Sequence, residues 1–245
     1  EQEHVLCEAG DMIQWGDSGE KQEMTGSFWA PELHRIGGRL SILFAPGIAE
    51  GGGEQRSSIM QLKKDADGYD LDPTKRENWE EPRIITFADG KTWTGSYCDM
   101  TYFEDKNGQS YYLSAGFALA KFDPETPWKL SAASTADTEN YAVLPDKDFA
   151  WEAGGAYEGQ YVIEHEGRYY ITYSARRVDG RYTLGYQSAD VDSDLMDPAS
   201  WTKSETPILF SSIVDEEWQS GPGHAAFAEG PNGETLFVYH TYSHV

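Results

Sequence analysis

AYEGQYVIEHEGRYYITYSA, residues 156–175, is the stretch that decides how the chain folds. Glu158 stands just ahead of a short apolar strand, Glu166-Gly167 makes a turn, and Tyr169 to Ser174 runs as a second strand with two aromatics side by side. Short runs of β-branched and aromatic residues split by a glycine turn predict an antiparallel hairpin. A carboxylate at the mouth of such a hairpin, backed by aromatics, is placed to act as a general acid. At a solvated strand edge the same residue is an ordinary surface glutamate. These twenty residues alone leave both readings open.

Working outward, the same design recurs. An aromatic segment ending at His34 leads to a turn at Gly37-Gly38, a strand from Arg39 to Phe44 and a third strand from Ser58 to Lys64. Asp99-Met-Thr-Tyr-Phe-Glu leads to a turn at Asp105-Lys-Asn-Gly108, then Ser110 to Ala115 and Ala118 to Phe122. The Glu158 copy continues to Tyr182 to Ser188, and His224-Ala-Ala-Phe-Ala leads to a turn at Pro231-Asn-Gly233 and a strand from Thr235 to His240. The leading residues Trp29, Asp99, Glu158 and His224 stand 70, 59 and 66 residues apart.

Repeats of that period with several strands each predict an all-β fold, a β-propeller. In a propeller the first strand of each blade lines the central channel. Trp29, Asp99, Glu158 and His224 are therefore expected around one pocket at one end of the axis. The whole of 1–245 reads as a single propeller domain. Residues 1–23 are expected to be the remnant of a preceding blade, with His4 to Cys7 as its outer strand.

Composition agrees and excludes alternatives. Lys and Arg number 19 against 42 Asp and Glu, a net charge of −23, which repels phosphate backbones and anionic membrane surfaces. Neither nucleic acid nor membrane is an expected partner; a neutral sugar is unaffected by that charge. With two cysteines, Cys7 and Cys98, there is no disulfide framework and no cysteine-based zinc site. Eight Trp, 15 Tyr, 10 Phe and 25 Gly suit short strands, tight turns and stacking surfaces. Asp65-Ala-Asp-Gly68 resembles part of a calcium loop but lacks the Glu that an EF-hand carries at its twelfth position, and it reads as a surface turn.

Two carboxylates and a histidine around a channel suit glycosidic cleavage. One protonated carboxyl delivers a proton to the leaving oxygen, and one ionised carboxylate activates water or attacks the sugar. The motifs of competing chemistries are absent: there is no Gly-X-Ser-X-Gly elbow, Walker loop, His-Glu-X-X-His or Cys-X-X-Cys. TGSFWAPELHRIGGRLSILFAPG (25–47), YCDMTYFEDKNGQSYYLSAG (97–116), YEGQYVIEHEGRYYITYSA (157–175) and SGPGHAAFAEGPNGETLFVYHTYSH (220–244) resemble successive blades of glycoside hydrolase family 43. That family contains five-bladed β-propeller arabinofuranosidases, xylosidases and arabinanases.

The resemblance implies about four of those five blades, in a ring that can stand open. It makes Glu158 the general acid of an inverting hydrolase and Asp99 the residue that orients and tunes it. Trp29 would wall the sugar pocket, and His224 would lie on the axis, where many members hold calcium or its waters. Phe28, Trp93 and Tyr97 are added as pocket residues by proximity in sequence, and Trp151 as an aromatic that packs beside a turn or helps the pocket.

The expected substrate is an arabinose- or xylose-containing oligosaccharide or polysaccharide. An extracellular location is expected from the family, although no leader opens the chain. The family's general base is an Asp well upstream of Trp-Ala-Pro-Glu; no residue here matches it, and Asp11 and Asp17 sit in turn-like sequence. The alternative to an enzyme is therefore a non-catalytic glycan-binding propeller. Sheet edges left open would allow a homo-oligomer.

Overall fold

The computed structural model describes residues 3–49, 54–93, 98–145, 149–153, 157–176, 180–214 and 217–242. Among these residues the strands form four sheets, each a meander of sequential neighbours, in the propeller arrangement expected. The first sheet holds β1 (Met12–Trp15), β2 (Lys21–Ile36), β3 (Arg39–Ile48), β4 (Ser58–Gln61) and β5 (Arg83–Ile84). The second holds β6 (Thr101–Glu104), β7 (Ser110–Ser114), β8 (Ala118–Phe122) and β9 (Tyr141–Val143). The third runs through β10 (Glu158–His165), β11 (Arg168–Ala175), β12 (Thr183–Asp190) and β13 (Thr202–Lys203), and the fourth through β14 (Ser212–Val214), β15 (Glu217–Glu229) and β16 (Thr235–Tyr242).

Burial along each sheet follows position. The middle strand β11 is buried over most of its length because sheets cover both of its faces, whereas β10 is only partly covered and its last two residues are exposed. Hence β11 reads as a near-continuous run of aromatic and β-branched residues, and β10 as a mixture. The hairpins turn at Gly37-Gly38, Asn107-Gly108, Glu166-Gly167 and Asn232-Gly233, where the sequence places them.

Apolar side chains from facing sheets form the core. Ile36, Leu43 and Ile59 of the first sheet meet Tyr112, Ala118, Ala120 and Phe122 of the second, and Tyr112 stacks on Phe122 at 3.9 Å. Phe103, Leu113 and Leu119 of the second sheet meet Tyr169, Ile171 and Tyr173 of the third. Polar links cross the same seams. Thr86 pairs with Lys129 between the first and second sheets, the Lys106 amide donates to the Tyr169 hydroxyl at 2.7 Å between the second and third, and Tyr161 donates to the Phe227 carbonyl at 3.2 Å between the third and fourth.

The N-terminal segment departs from expectation. His4 to Cys7 forms no strand. Leu6 and Cys7 instead pack on an apolar face of the first sheet, with the Cys7 thiol 3.8 Å from the Met60 sulfur. Met12–Trp15 is the first strand, and it joins this same sheet rather than a separate one: antiparallel to β2, and parallel to β5 through Gln14↔Arg83 and Trp15↔Ile84. Two partners for one short strand close the sheet on itself. The sequence carried no sign of this, because β1 is four residues long and β5 is two.

Ile171 is fully buried at the seam between the second and third sheets. Replacing it with alanine is expected to lower unfolding free energy by about 2–5 kcal/mol in urea titration, through lost transfer energy and the cavity left behind. Val143→Ala on the exposed face of β9 should change it by less than about 0.5 kcal/mol.

Candidate active site

Each strand that borders the pocket carries, within it or just ahead of it, a residue in the left-handed backbone region: Ala30 (φ 44°) midway along β2, Asp99 (φ 54°) two residues before β6, Gly159 (φ 59°) second in β10 and His224 (φ 45°) midway along β15. For a residue other than glycine that conformation costs about 1–2 kcal/mol, because Cβ crowds the following carbonyl oxygen. The residue just before each is Trp29, Cys98, Glu158 and Gly223. The left-handed step interrupts the regular pairing of the inner strand, as the register shifts between Trp29 and Glu32, Glu158 and Tyr161, and Gly223 and Ala226 record.

Four such pairs, one per sheet, meet around a pocket of about 390 Å³ lined by Trp29, Ala30, Cys98, Asp99, Glu158 and His224. The lining is those eight residues less the two glycines. The structure thus brings together Trp29, Asp99, Glu158 and His224, but at two adjacent repeat positions. Trp29 and Glu158 share one, and Asp99 and His224 share the next. Cys98 occupies the first of these, which sequence reasoning missed; its spacing of 69 residues from Trp29 and 60 from Glu158 was the available signal.

Other expected residues lie elsewhere. Phe28 and Trp29 are adjacent on an extended strand, so their side chains diverge. Phe28 sits with Pro31, Ile42, Phe44 and Met60 under His4, Leu6 and Cys7. Trp93 is 2% exposed and packs edge-on against Tyr141 at 6.4 Å, as a core residue. Trp151 stacks on Tyr173 at 6.1 Å and lies over Gly185, also away from the pocket. Tyr97 falls outside the described residues.

Both glycines among the pairs are needed for close approach as well as conformation. A Cβ on Gly159 would stand 2.9 Å from the His224 ring, and one on Gly223 would stand 2.2 Å from the Tyr182 ring. The third and fourth sheets therefore interlock, each glycine receiving a ring from the other side.

Hydrogen bonds fix the polar groups. The Tyr182 hydroxyl donates to Glu158 Oε1 at 2.8 Å, and the Gly159 amide donates to Asp99 Oδ2 at 3.1 Å. The His224 amide donates to Ser174 Oγ at 2.6 Å, and Ser174 is also bonded to Tyr182. His240 stacks on Tyr182 with ring centres 5.9 Å apart. Burial first, and then the charges of Glu158 and Asp99, push the Tyr182 phenol above its ordinary range, so it stays protonated and donates. None of Tyr182, Ser174 and His240 opens an inner strand, so the repeat could not point to them.

The Cys98 thiol is pushed up to about 12, mainly by burial and further by Asp99 and Glu158. It is a protonated, poorly nucleophilic group at neutral pH. Among the described residues no three His, Cys, Asp or Glu side chains form a group able to hold a metal ion. Calcium prefers six to eight oxygen ligands, and among the described residues the lining supplies carboxylates from Asp99 and Glu158 alone, so those residues around His224 do not fit a directly held calcium.

A β-propeller with two carboxylates held in different surroundings in a pocket where its blades meet has the build of a sugar-cleaving protein. The chain belongs to glycosyl hydrolases family 43, whose family model matches residues 6–244. It is 33% identical over 226 residues to alpha-L-arabinofuranosidase 43 of Humicola insolens, covering 88% of this chain and 43% of that protein. It is 30% identical to an extracellular exo-alpha-(1->5)-L-arabinofuranosidase of Streptomyces chartreusis, covering 89% of this chain and 63% of the other. The crystal structure of alpha-L-arabinofuranosidase from Lactobacillus brevis superposes with a TM-score of 0.70 at 28% identity, over 91% of this chain and 71% of that one. The chain spans less than half the length of the fungal relative.

With its thiol at about 12, Cys98 should react with iodoacetamide at pH 8 about 40–100-fold more slowly than an ordinary surface thiol. Its rate should keep climbing about tenfold per pH unit beyond pH 10, without the levelling of a normal cysteine. Peptide mass spectrometry after timed alkylation measures this. A plateau near pH 9 would contradict the burial of Cys98 beside the two carboxylates.

Proposed function

We propose that this chain is the propeller of a glycoside hydrolase acting on arabinofuranosyl or xylosyl linkages of plant polysaccharide, with Glu158 as general acid. The observation that carries this reading is the shared pocket of Glu158 and Asp99, in which Asp99 takes the amide directly after the acid. Tyr182 donates to Glu158 Oε1, so that oxygen accepts and Oε2 is left as the oxygen that would carry a proton to the leaving oxygen of a bound glycoside. Asp99 anchors the backbone at Gly159, and Trp29, half exposed at the rim, offers an apolar face to the sugar. The arabinofuranosidase names of the relatives support arabinose as the first sugar to try, and the Streptomyces relatives' naming as extracellular supports a secreted setting.

In this reading cleavage is a single inverting displacement, with water on the opposite face of the sugar. Among the described residues the carboxylates lining the pocket are those of Asp99 and Glu158; Asp11 and Asp17 are engaged away from it, the first with the Glu8 amide and the second with Arg83 and Trp128. That lining, without a third carboxylate for the water, favours a second reading: a propeller that binds arabino- or xylo-oligosaccharides without turning them over. β16 is an edge strand with Leu236, Phe237 and Val238 exposed, which supports pairing with a second copy in either case.

Hydrolysis of aryl arabinofuranosides and xylosides by the protein and by Glu158→Gln separates the readings. The proposal expects turnover that falls about 10²–10⁴-fold in the variant. Equal rates in both proteins would remove Glu158 as the acid. Calorimetric binding of the oligosaccharides with no turnover in either would establish the second reading. Calcium near His224 is kept outside the reaction: a rise in Tm on adding calcium would support a site there, and an unchanged Tm with no calcium by elemental analysis would remove it.

A further inference from the structure

We propose that the buried ion pair between Lys203 and Glu152, set in a cage of three aromatic rings, positions Glu158 through Tyr157. The proposal rests on the reading of Glu158 as the acid. Lys203 lies on β13, the outermost strand of the third sheet, where a lysine ordinarily extends into water. Its side chain is instead 3% exposed and its ammonium donates to Glu152 Oε2 at 2.8 Å, with the Glu152 side chain fully buried. The Tyr173 hydroxyl donates to the same oxygen at 3.3 Å, and the Phe149 amide donates to Oε1 at 3.1 Å. Glu152 is therefore satisfied on both oxygens, six residues ahead of Glu158.

The ammonium has a second set of neighbours. It stands 4.0 Å from the centre of the Tyr157 ring and 5.0 Å from those of Phe117 and Tyr173. A desolvated cation over an aromatic face is attracted to the ring's negative quadrupole, most strongly where water is excluded. The shortest of the three approaches is to Tyr157, the residue directly before Glu158. The carbonyl of Tyr157 is fixed as well, accepting from the Gly116 amide at 2.8 Å and the Gln160 side chain at 3.2 Å. Held by its ring on one side and its carbonyl on the other, Tyr157 sets the direction in which the chain enters the Glu158 position.

Fold stability alone does not account for these two charges. Taking an ammonium and a carboxylate out of water is costly, and apolar residues of similar volume often hold a core as well or better. What an apolar pair does not supply is the pull of a cation on the Tyr157 ring. Lys203 is not among the residues that line the pocket and is a positioning residue, acting through Tyr157.

The experiment compares the unmodified chain, Glu158→Gln, Lys203→Arg, and the double variant Lys203→Met with Glu152→Gln, which removes both charges together and leaves no buried ion unpaired. The main readout is kcat/KM on a phenyl and on a dinitrophenyl arabinofuranoside. The phenyl leaving group needs protonation and the dinitrophenyl group does not. A misplaced acid should cost the double variant about 10–100-fold on the phenyl substrate and less than about threefold on the dinitrophenyl one, with Lys203→Arg recovering part of the loss. Equal losses on both substrates would overturn the positioning role. Glu158→Gln run beside them reports on the acid itself: if it shows no such preference, the reading of Glu158 fails on its own.

A second readout needs no turnover. Glu158→Gln should speed alkylation of Cys98 by removing a neighbouring negative charge, and the double variant should move the Cys98 rate at least about threefold toward that value while Cys7, on the first sheet, serves as the control for general loosening. A Cys98 rate unchanged from the parent, or one that rises only in step with Cys7, would overturn the proposal.

Discussion

The constraint on which this molecule depends is the left-handed step in, or just ahead of, each strand that borders the pocket. A regular strand would send successive side chains to opposite faces and run its backbone straight past the channel. At Ala30, Asp99, Gly159 and His224 the chain turns instead; Trp29-Ala30 and Cys98-Asp99 each put two consecutive residues in the wall, while Glu158 and His224 each line it beside a glycine. Three of the four are not glycine, so the fold carries about 1–2 kcal/mol of local strain at each. Close packing of the third and fourth sheets holds two of these steps in place, with Gly159 against His224 and Gly223 against Tyr182. Strain of this kind persists where surrounding structure over-determines it, and it collects where side chains must be aimed.

Much of this was legible in the sequence, and the parts that were not share a physical cause. Period and turns located the hairpins: Gly37-Gly38, Asn107-Gly108, Glu166-Gly167 and Asn232-Gly233 all turn where expected. Repetition found the end of the molecule where Trp29, Asp99, Glu158 and His224 meet, because a repeat carries long-range information that no single segment holds. It failed at the resolution of one residue. A spacing of 59 to 70 does not say which member of a two-residue step occupies the wall, and Cys98 was lost between them.

Proximity in sequence was a poor guide inside a strand, where Phe28 and Trp29 face apart, and before β6, where Trp93 is core. Tyr182 and Ser174 reach Glu158 and His224 from β12's approach and from β11. Contacts made across a sheet leave no mark in the spacing of the strand they serve. The short strands β1 and β5 were invisible for a related reason: their pairing is decided by tertiary neighbours, with too few residues for a pattern.

Each wall of the pocket comes from a different sheet, and neighbouring walls are about 60–70 residues apart along the chain. Contacts so distant in sequence form late, since loop-closure entropy opposes them until the sheets have docked. The pocket is therefore a product of assembly, complete only when all four sheets are in register. A molecule seated in it would touch every sheet at once and act as a non-covalent cross-link, raising the stability of the whole arc by an amount set only by its concentration relative to its Kd.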